Sequence, residues 1–243
     1  MKKILLAILL VILGIIVAAI LYLGYLGFIP GLRTLFGSDK PRDLGVTYTQ
    51  EDYKSAYKKG GVDVKVKTKE VTPEKSMVVK GSHKVKKSFT NAEITAAINE
   101  HAGNWSYYPV SDVQVRVNDD GSGEVSGYLE KSHLEGYARA TGISNETIEA
   151  AHPYFSALPD KIPVYVKVTA EVKNDAVNIN FLDAEVLRLS VPGSIRSTVQ
   201  GAVNGFVEDQ LDAYDVTIKS GTLKNGAVEF DGTLSESIET YVE

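Results

Sequence analysis

The four histidines are the side chains best suited to metal or acid–base chemistry, and their spacing gives them no shared site. They are His83, His101, His133 and His152. No two of them have the i, i+4 spacing around a glutamate that a helical zinc site uses. The chain also lacks the serine motif of a nucleophile elbow, the P-loop and the dinucleotide-binding fingerprint. An enzyme is therefore the least favoured class, and we predict no catalytic residue, metal or cofactor.

Two further segments contain residue types that bind ligands elsewhere. The run from Asn118 to Glu124 is rich in acidic and glycine residues but lacks the full alternation of a calcium loop, so we predict a hairpin turn. Trp105, Tyr107 and Tyr108 have the ring types that stack on sugars or lie at a membrane surface. We favour packing of these rings under a loop.

Composition and charge exclude several other functions. There is no cysteine, so disulfides, thiolate metal sites and cysteine nucleophiles are excluded together. The basic residues are concentrated before residue 88, with eleven lysines between Lys54 and Lys87, and the remainder of the chain is acidic. This basic segment could bind anionic lipid head groups or wall polymers. The favoured alternative is lysines on edge strands that discourage aggregation. Without a recognisable motif we predict no nucleic-acid partner.

The N-terminus predicts a membrane anchor. Ile4 to Ile29 contains no charged residue, and at 1.5 Å per residue it would extend about 39 Å as a helix. We predict an uncleaved transmembrane signal-anchor at residues 1–30, a linker at 31–43 and an extracytoplasmic domain at 44–243. Basic residues flank the run on both sides, so the positive-inside rule does not decide the orientation. The short basic head before a long apolar run favours a C-terminal domain outside the cytoplasm, and thus a single-pass cell-membrane protein.

The positions that would build a binding site lie in the C-terminal half. Ile162 to Val172 alternates apolar and polar residues without a break, which predicts a long strand with one apolar face. In the following stretch, Ala176 to Val191, the apolar phase changes twice. Each change of phase moves side chains to the other face and indicates either a β-bulge or a change of burial. Because bulges bend strands, we predict a long, curved hairpin.

The longest helix of the domain is predicted from Ser194 to Ala213. Its apolar residues fill one arc of the helical wheel, and Gln200, Asn204 and Glu208 descend the other side at i, i+4 spacing. We expect the apolar arc to pack against the concave side of the sheet and to line a ligand groove, with the Glu208 side turned to solvent. The candidate ligand-binding residues are Val199, Ala202, Val203 and Phe206.

Helix starts and turns complete the predicted fold, which is α+β: a transmembrane helix, then a curved, mainly antiparallel sheet packed on the long amphipathic helix. Thr49 with Asp52 and Thr90 with Glu93 match capping boxes. Asn225-Gly226 is a strong hairpin turn.

The order of these elements resembles a known family. It is carried by "SFTNAEITAAIN" at 88–99, "IPVYVKVTAEVKNDAVNINFLDAEVLRLSVP" at 162–192 and "VTIKSGTLKNGAVEFDGTL" at 216–234. Together with the anchor and the long helix, they look like YpmS-like bacterial membrane-anchored envelope proteins, which are distantly similar to tubular lipid-binding (TULIP-like) domains. The resemblance covers residues 88–234. It implies a curved sheet around a long helix, a cell-envelope role and an apolar ligand, and it supplies no catalytic residue.

Two functions therefore remain. The first is a binding module that holds a lipid or another apolar ligand between the sheet and the helix. The second is a structural or interaction protein of the envelope, in which the same apolar faces are solid core. A ligand groove should be apolar and at least about 300 Å³ in volume, whereas a scaffold should be filled.

Overall fold

A computed structural model describes residues 2–156 and 158–242, with side chains at 13–153 and 158–242. The fold is α+β, with a curved, antiparallel half-barrel sheet and a long helix, as the sequence predicts. The helices are α1 (Lys2–Tyr25), α2 (Leu32–Phe36), α3 (Gln50–Gly60), α4 (Asn91–Gly103), α5 (Lys131–Ala140), α6 (Asn145–Ser156) and α7 (Gly193–Ala213). A short 3-10 turn occupies Pro73–Lys75.

The strands form two sheets. They are β1 (Asp63–Thr68), β2 (Met77–Lys80), β3 (His83–Thr90), β4 (Val110–Val117), β5 (Ser122–Glu130), β6 (Lys161–Lys173), β7 (Ala176–Val186), β8 (Leu189–Ser190), β9 (Ile218–Lys224), β10 (Ala227–Leu234) and β11 (Ser237–Val242). The small sheet has the order β1-β11-β2, and the large sheet has the order β3-β10-β9-β6-β5-β4.

Strand β6 is the centre of the large sheet. One of its edges pairs with β5 and then, beyond the start of β5, with the middle of β9. Its other edge pairs with β7, which in turn pairs with the two-residue β8. Because β6 is 13 residues long, it joins two groups of strands that would otherwise be separate.

Local sequence signals set the ends of several elements. Both predicted capping boxes are present: the Thr49 side chain accepts from the amide of Asp52, and that of Thr90 accepts from the amide of Glu93. Asn225 and Gly226 have φ angles of 52° and 72°, which is the left-handed geometry of a tight hairpin turn between β9 and β10. These predictions are confirmed.

Helix α4 covers the outer edge of β4 with a ladder of side chains. Asn91 Oδ1 accepts from the amide of Val117, and Thr95 Oγ1 accepts from the amide of Val115. Asn99 Oδ1 accepts from the amide of Val113 at 2.9 Å. Three positions spaced four apart on a helix thus satisfy three amides spaced two apart on an edge strand. An edge strand with satisfied amides does not recruit another strand.

The N-terminal segment contacts the domain. Leu26, directly after α1, is buried. Ser38, in the turn after α2, donates a hydrogen bond from its Oγ to the carbonyl of Gly24. Arg188 Nη2 donates to the carbonyl of Gly37 at 3.0 Å. The segment 31–43, predicted as a linker, therefore contains a short helix and lies against the domain.

The predicted anchor Ile4–Ile29 coincides with α1 over most of its length. Its side chains up to residue 12 lie outside the described residues. Within the described part of the chain, no helix is both long enough and apolar enough to cross a membrane. The transmembrane role of this segment stays a prediction.

The lysine-rich segment falls on α3, β1, β2 and β3. Strands β1 and β3 are edge strands of their sheets, as the edge-strand interpretation expects. Several of the lysines face carboxylates of neighbouring elements. The ion pairs are Lys59–Glu93, Lys67–Glu239 and Lys86–Asp231.

Candidate functional site: an open apolar face of the large sheet

The apolar face of β6 is not filled. Five of the six residues of β6 on this face are partly exposed, whereas the sixth, Ile162 at the start of the strand, is 1% exposed. The five residues are Val164, Val166, Val168, Ala170 and Val172. Valine and alanine at the centre of an eight-stranded sheet are normally covered, because their burial is a main source of folding free energy. A continuous, partly exposed apolar strip in this position is the candidate site.

Neighbouring strands widen this strip, because residues directly opposite each other in an antiparallel pair share a face. Val125 of β5 lies opposite Val166. On β7, Phe181 lies opposite Val168, and Ile179 lies opposite Ala170. All three side chains are partly exposed. The apolar face thus spans at least three strands.

Two glycines show that the sheet curves toward this face. Gly123 and Gly127 of β5 lie opposite Val168 and Val164, so a side chain at either position would point to the apolar face. A Cβ on Gly123 would lie 2.8 Å from Leu223 Cδ1, and a Cβ on Gly127 would lie 3.0 Å from Val113 Cγ2. A side chain at either position would require its neighbours to shift, so the strands lie close together on this side. We interpret the apolar face as the concave one.

A β-bulge keeps β7 in register with this face. The pairing with β6 skips one residue between Phe181 and Asp183, so that Phe181 and Ala184 lie opposite Val168 and Val166. The extra residue, Leu182, is 48% exposed. The change of apolar phase in the sequence predicts this bulge, and the prediction is confirmed. The next change of phase coincides with Leu187, whose φ of +58° turns the chain from β7 into β8.

Helix α7 lies along the free edge of β7 with its polar side toward the strand. Gln200 Oε1 accepts from the amide of Phe181 at 3.2 Å. Asn204 Oδ1 accepts from the amide of Ile179 at 3.1 Å, and Glu208 Oε1 accepts from the amide of Val177 at 3.0 Å. The predicted orientation of this helix, with the Glu208 side turned to solvent, is therefore wrong.

The physical reason is that the backbone amides on the free edge of β7 need hydrogen-bond acceptors. Four residues of helix advance about 6 Å, and two residues of strand advance about 6.6 Å. Side chains at i, i+4 and i+8 therefore match alternate amides of an adjacent strand. Unsatisfied amides cost more than a partly exposed valine gains from burial.

The four predicted ligand-binding residues consequently lie on the flank of α7 rather than beneath it. Val199 is 42% exposed and Ala202 is also exposed, while Val203 and Phe206 are partly covered. These four side chains therefore do not form a core between α7 and β7, and Val203 and Phe206 are the two that are more covered.

The opposite face of the sheet is polar and closed by the N-terminal segment. The Glu124 carboxylate accepts from the Tyr165 hydroxyl at 2.7 Å and from two nitrogens of Arg116 at 3.0 and 2.7 Å. Arg42 lies 3.8 Å from the centre of the Tyr165 ring and pairs with Glu185. Buried Leu44 packs beside them. Around Tyr165 this face is therefore occupied by charged and polar groups, which do not suit an apolar molecule.

Electrostatics in this polar cluster favour the ionised carboxylate. Burial raises the pKa of Glu124, but hydrogen bonds from Tyr165, Asn118 and Arg116 outweigh burial and lower the pKa to about 2. Burial and the hydrogen bond to Glu124 raise the pKa of Tyr165 to about 12. The two groups keep fixed protonation states at neutral pH, so the cluster is a structural one.

The aromatic and histidine candidates have structural surroundings. Trp105 is 2% exposed, its Nε1 donates to Ser76 Oγ, and its ring lies 5.8 Å from that of Tyr137. This confirms the packing interpretation of Trp105. Burial lowers the pKa of His101, which stacks edge-on against Tyr108. Among the described residues, no three histidine or acidic side chains gather in an arrangement that could hold a metal ion.

An apolar cavity lies between α5 and α6, and we did not predict it from the sequence. The cavity has a volume of about 440 Å³. Its apolar lining consists of Leu134, Tyr137, Ala138, Ile143, Ile148 and Ala151. The i, i+3 and i+4 spacing of these residues on the two helices was a readable signal. A bond from Gln210 Nε2 to the carbonyl of Thr141 connects the end of α7 with this helix pair.

Another cavity, near the ends of several strands, has charged walls instead. It has a volume of about 570 Å³ and lies where β3, β9 and β10 meet the turn between β6 and β7. Lys84, Lys86, Lys219, Asp175 and Asp231 are part of its wall. Charges of both signs alternate around it, which does not suit an apolar ligand.

Comparisons of this chain with protein-family models, curated proteins and solved structures find no match. We therefore infer the function from the geometry of the site and from the residues themselves.

Proposed function

We propose that this chain is a membrane-anchored protein of the cell envelope that binds a lipid or another apolar molecule along the concave face of its large sheet. The observation that carries the proposal is the partial exposure of all five inward residues of β6, from Val164 to Val172. This strip extends over about 26 Å at 3.3 Å per residue. Its length suits an extended hydrocarbon chain.

The energetics favour a ligand of this kind. Burial of each methylene contributes about 0.8 kcal/mol, and association costs at least about 4 kcal/mol. A chain of about ten buried methylenes thus gains about 4 kcal/mol net, and longer chains bind more tightly. A short apolar molecule would gain too little on an open face. We therefore infer an acyl chain or a similarly long ligand.

The anchor part of the proposal depends on the sequence of the first thirty residues. Ile4 to Ile29 carries no charge, and Lys2 and Lys3 precede it. An uncharged run of this length favours a spanning helix over a cleaved signal peptide. We place the domain outside the cytoplasm. The resemblance of residues 88–234 to YpmS-like and TULIP-like proteins supports the same reading.

The lysine-rich segment from Lys54 to Lys87 is a secondary part of the proposal. Its lysines on the edge strands β1 and β3 would attract anionic head groups or wall polymers while pairing with nearby carboxylates. Such attraction would be weak at physiological salt, because the charges are exposed.

The alternative is a structural or interaction protein whose partner covers the same apolar face. In that case the strip would be closed by another protein and would hold no lipid. A binding module is purified with lipid attached, whereas the structural protein is not. The mass of the purified protein therefore discriminates between the two functions.

Native mass spectrometry of the full-length chain, released from detergent micelles, tests the proposal. We expect lipid adducts on the wild type in addition to any lipid held by α1, and we expect Val168→Asp to remove these additional adducts because it places a charge on the strip. Thr169→Asp is the matched control, since it changes the next residue on the opposite face. Equal adducts on both variants, or none on the wild type, would contradict the proposal.

A further inference from the structure

Exposed apolar side chains gather where α1 joins the domain. Together they form what we call the anchor-side patch: Leu35, Phe36, Leu182, Leu189, Ile195 and Val199. Leu35 is 74% exposed and Ile195 is 52% exposed. Exposed leucines and isoleucines are ordinary when scattered, but a group of them on one side of a domain marks an interaction surface.

A series of contacts holds the members of the patch together. The β7–β8 turn packs against the end of α1, where a Cβ on Gly27 would lie 3.4 Å from Leu187. Arg188 of the same turn donates to the carbonyl of Gly37, which directly follows α2. This brings Leu35 and Phe36 close to Leu189.

The start of α7 is joined to the same corner. Arg196 Nη1 donates to the carbonyl of Leu182 and lies 3.7 Å from Asp183. Its helix neighbours Ile195 and Val199 are both exposed. The patch therefore combines residues from α2, the bulge of β7, β8 and the first half of α7.

We propose that the anchor-side patch lies in the head-group region of the bilayer, with its apolar side chains among the upper acyl chains. This inference rests on the proposed function, because it needs α1 to cross the membrane. Two observations favour lipid over a protein partner. The patch is continuous with the apolar end of α1, where Tyr25 and Phe28 are exposed. Arg33 and Arg188 lie beside it and suit lipid phosphates.

The placement also identifies the source of the ligand. The apolar strip of β6 ends at Val164, which lies opposite Val186. The next residue, Leu187, packs against the end of α1. One end of the strip thus lies beside the corner that contacts the bilayer. Lipid of the same membrane is therefore the nearest source of an acyl chain.

The absence of cysteine makes a site-specific test direct. Single cysteines replace Leu35, Ile195 or Val66 in the full-length chain, and each carries an environment-sensitive dye. Val66 is the matched control, because it is 43% exposed and lies on β1 of the small sheet. The labelled proteins are placed in phosphatidylcholine vesicles with a minor fraction of phosphatidylglycerol, with or without nitroxide-labelled lipid.

We expect blue-shifted emission at Leu35 and Ile195, and nitroxide quenching at least about twofold stronger than at Val66. Equal quenching at Ile195 and Val66 in protein that floats with the vesicles would overturn the patch inference while leaving the anchor and the lipid adducts intact. Failure of the chain to float with vesicles would overturn the anchor itself, and the patch inference with it.

Discussion

The side-chain oxygen of Asn204 accepts a hydrogen bond from the backbone amide of Ile179, 3.1 Å away. This bond is the middle one of three that fix α7 to the edge of β7, between those of Gln200 and Glu208. Helix α4 holds the edge of β4 by the same spacing. The protein thus closes two strand edges with helix side chains, and the apolar residues of β6 between them stay partly exposed.

Asn204→Ala should destabilise the domain by about 1 to 2 kcal/mol, because the partly buried amide of Ile179 loses its acceptor. Chemical unfolding followed by the fluorescence of Trp105, the single tryptophan, measures this change. Hydrogen exchange at Ile179 should become faster in the same variant. Asp209→Ala on the exposed side of α7 is the control and should change stability by less than about 0.5 kcal/mol. Equal effects of the two substitutions would refute the edge ladder.

The orientation of α7 could not be read from its helical wheel. An apolar arc opposite a polar stripe normally indicates which side faces the core. That rule assumes that the polar stripe faces water, and here the stripe of Gln200, Asn204 and Glu208 faces backbone amides instead. The information that decides the orientation is the edge position of β7, which depends on the pairing of distant strands. The same is true of the polar stripe on α4.

Glu124→Gln should make the free energy of unfolding depend less on pH below about pH 4.5. The pKa of Glu124 is lowered from 4.5 to about 2 in the fold. A depressed carboxyl pKa stabilises the folded state above the unfolded pKa, and this stabilisation is lost as the pH falls from about 4.5 to about 2. The amount at neutral pH is on the order of 3 kcal/mol.

Unfolding of the wild type and the Glu124→Gln variant at several pH values between neutrality and pH 2 gives the difference between them. We expect the variant to be less stable at neutral pH and the difference to shrink below about pH 4.5. Other carboxylates titrate in both proteins and cancel. A difference that stays constant across this range would show that Glu124 is not held ionised by its neighbours.

Phe206→Ala should cost only about 1 to 2 kcal/mol in lipid-free protein, because the ring is partly exposed. Ile162→Ala should cost about 2 to 5 kcal/mol, since Ile162 is 1% exposed. Unfolding of the two variants under the same conditions gives the comparison. If Phe206→Ala is as costly as Ile162→Ala, the flank of α7 is core and does not border an open groove.

The topology is tested with impermeant thiol reagents. A cysteine at exposed Ser144 should react in intact, right-side-out membrane vesicles, and one that replaces Lys2 should react only after the membrane is opened. The expected difference follows from an uncharged span between the two positions. Labelling of both positions from the same side would contradict a spanning helix, and the reverse pattern would place the domain in the cytoplasm.

Local features of the fold were predictable, and features that depend on distant contacts were not. The capping residues Thr49 and Thr90 and the bulge at Leu182 follow from patterns within a few residues. By contrast, the docking of Arg42 on Tyr165 joins positions more than a hundred residues apart. The partial exposure of Val166 also depends on how distant parts of the chain pack around it. The alternation in β6 gives the same apolar face for a filled core and for an open site.

Photo-crosslinking with a diazirine fatty acid in the full-length chain tests the central claim most directly. Crosslinks in α1 are expected wherever the anchor contacts lipid, so they do not decide. We expect additional crosslinks in the peptides of β6 and β7, at Val166, Val168 or Phe181. Val168→Asp should abolish these crosslinks, and Thr169→Asp should retain them. Crosslinks confined to α1, or found between α5 and α6 without any on the sheet, would contradict a binding site on the concave face.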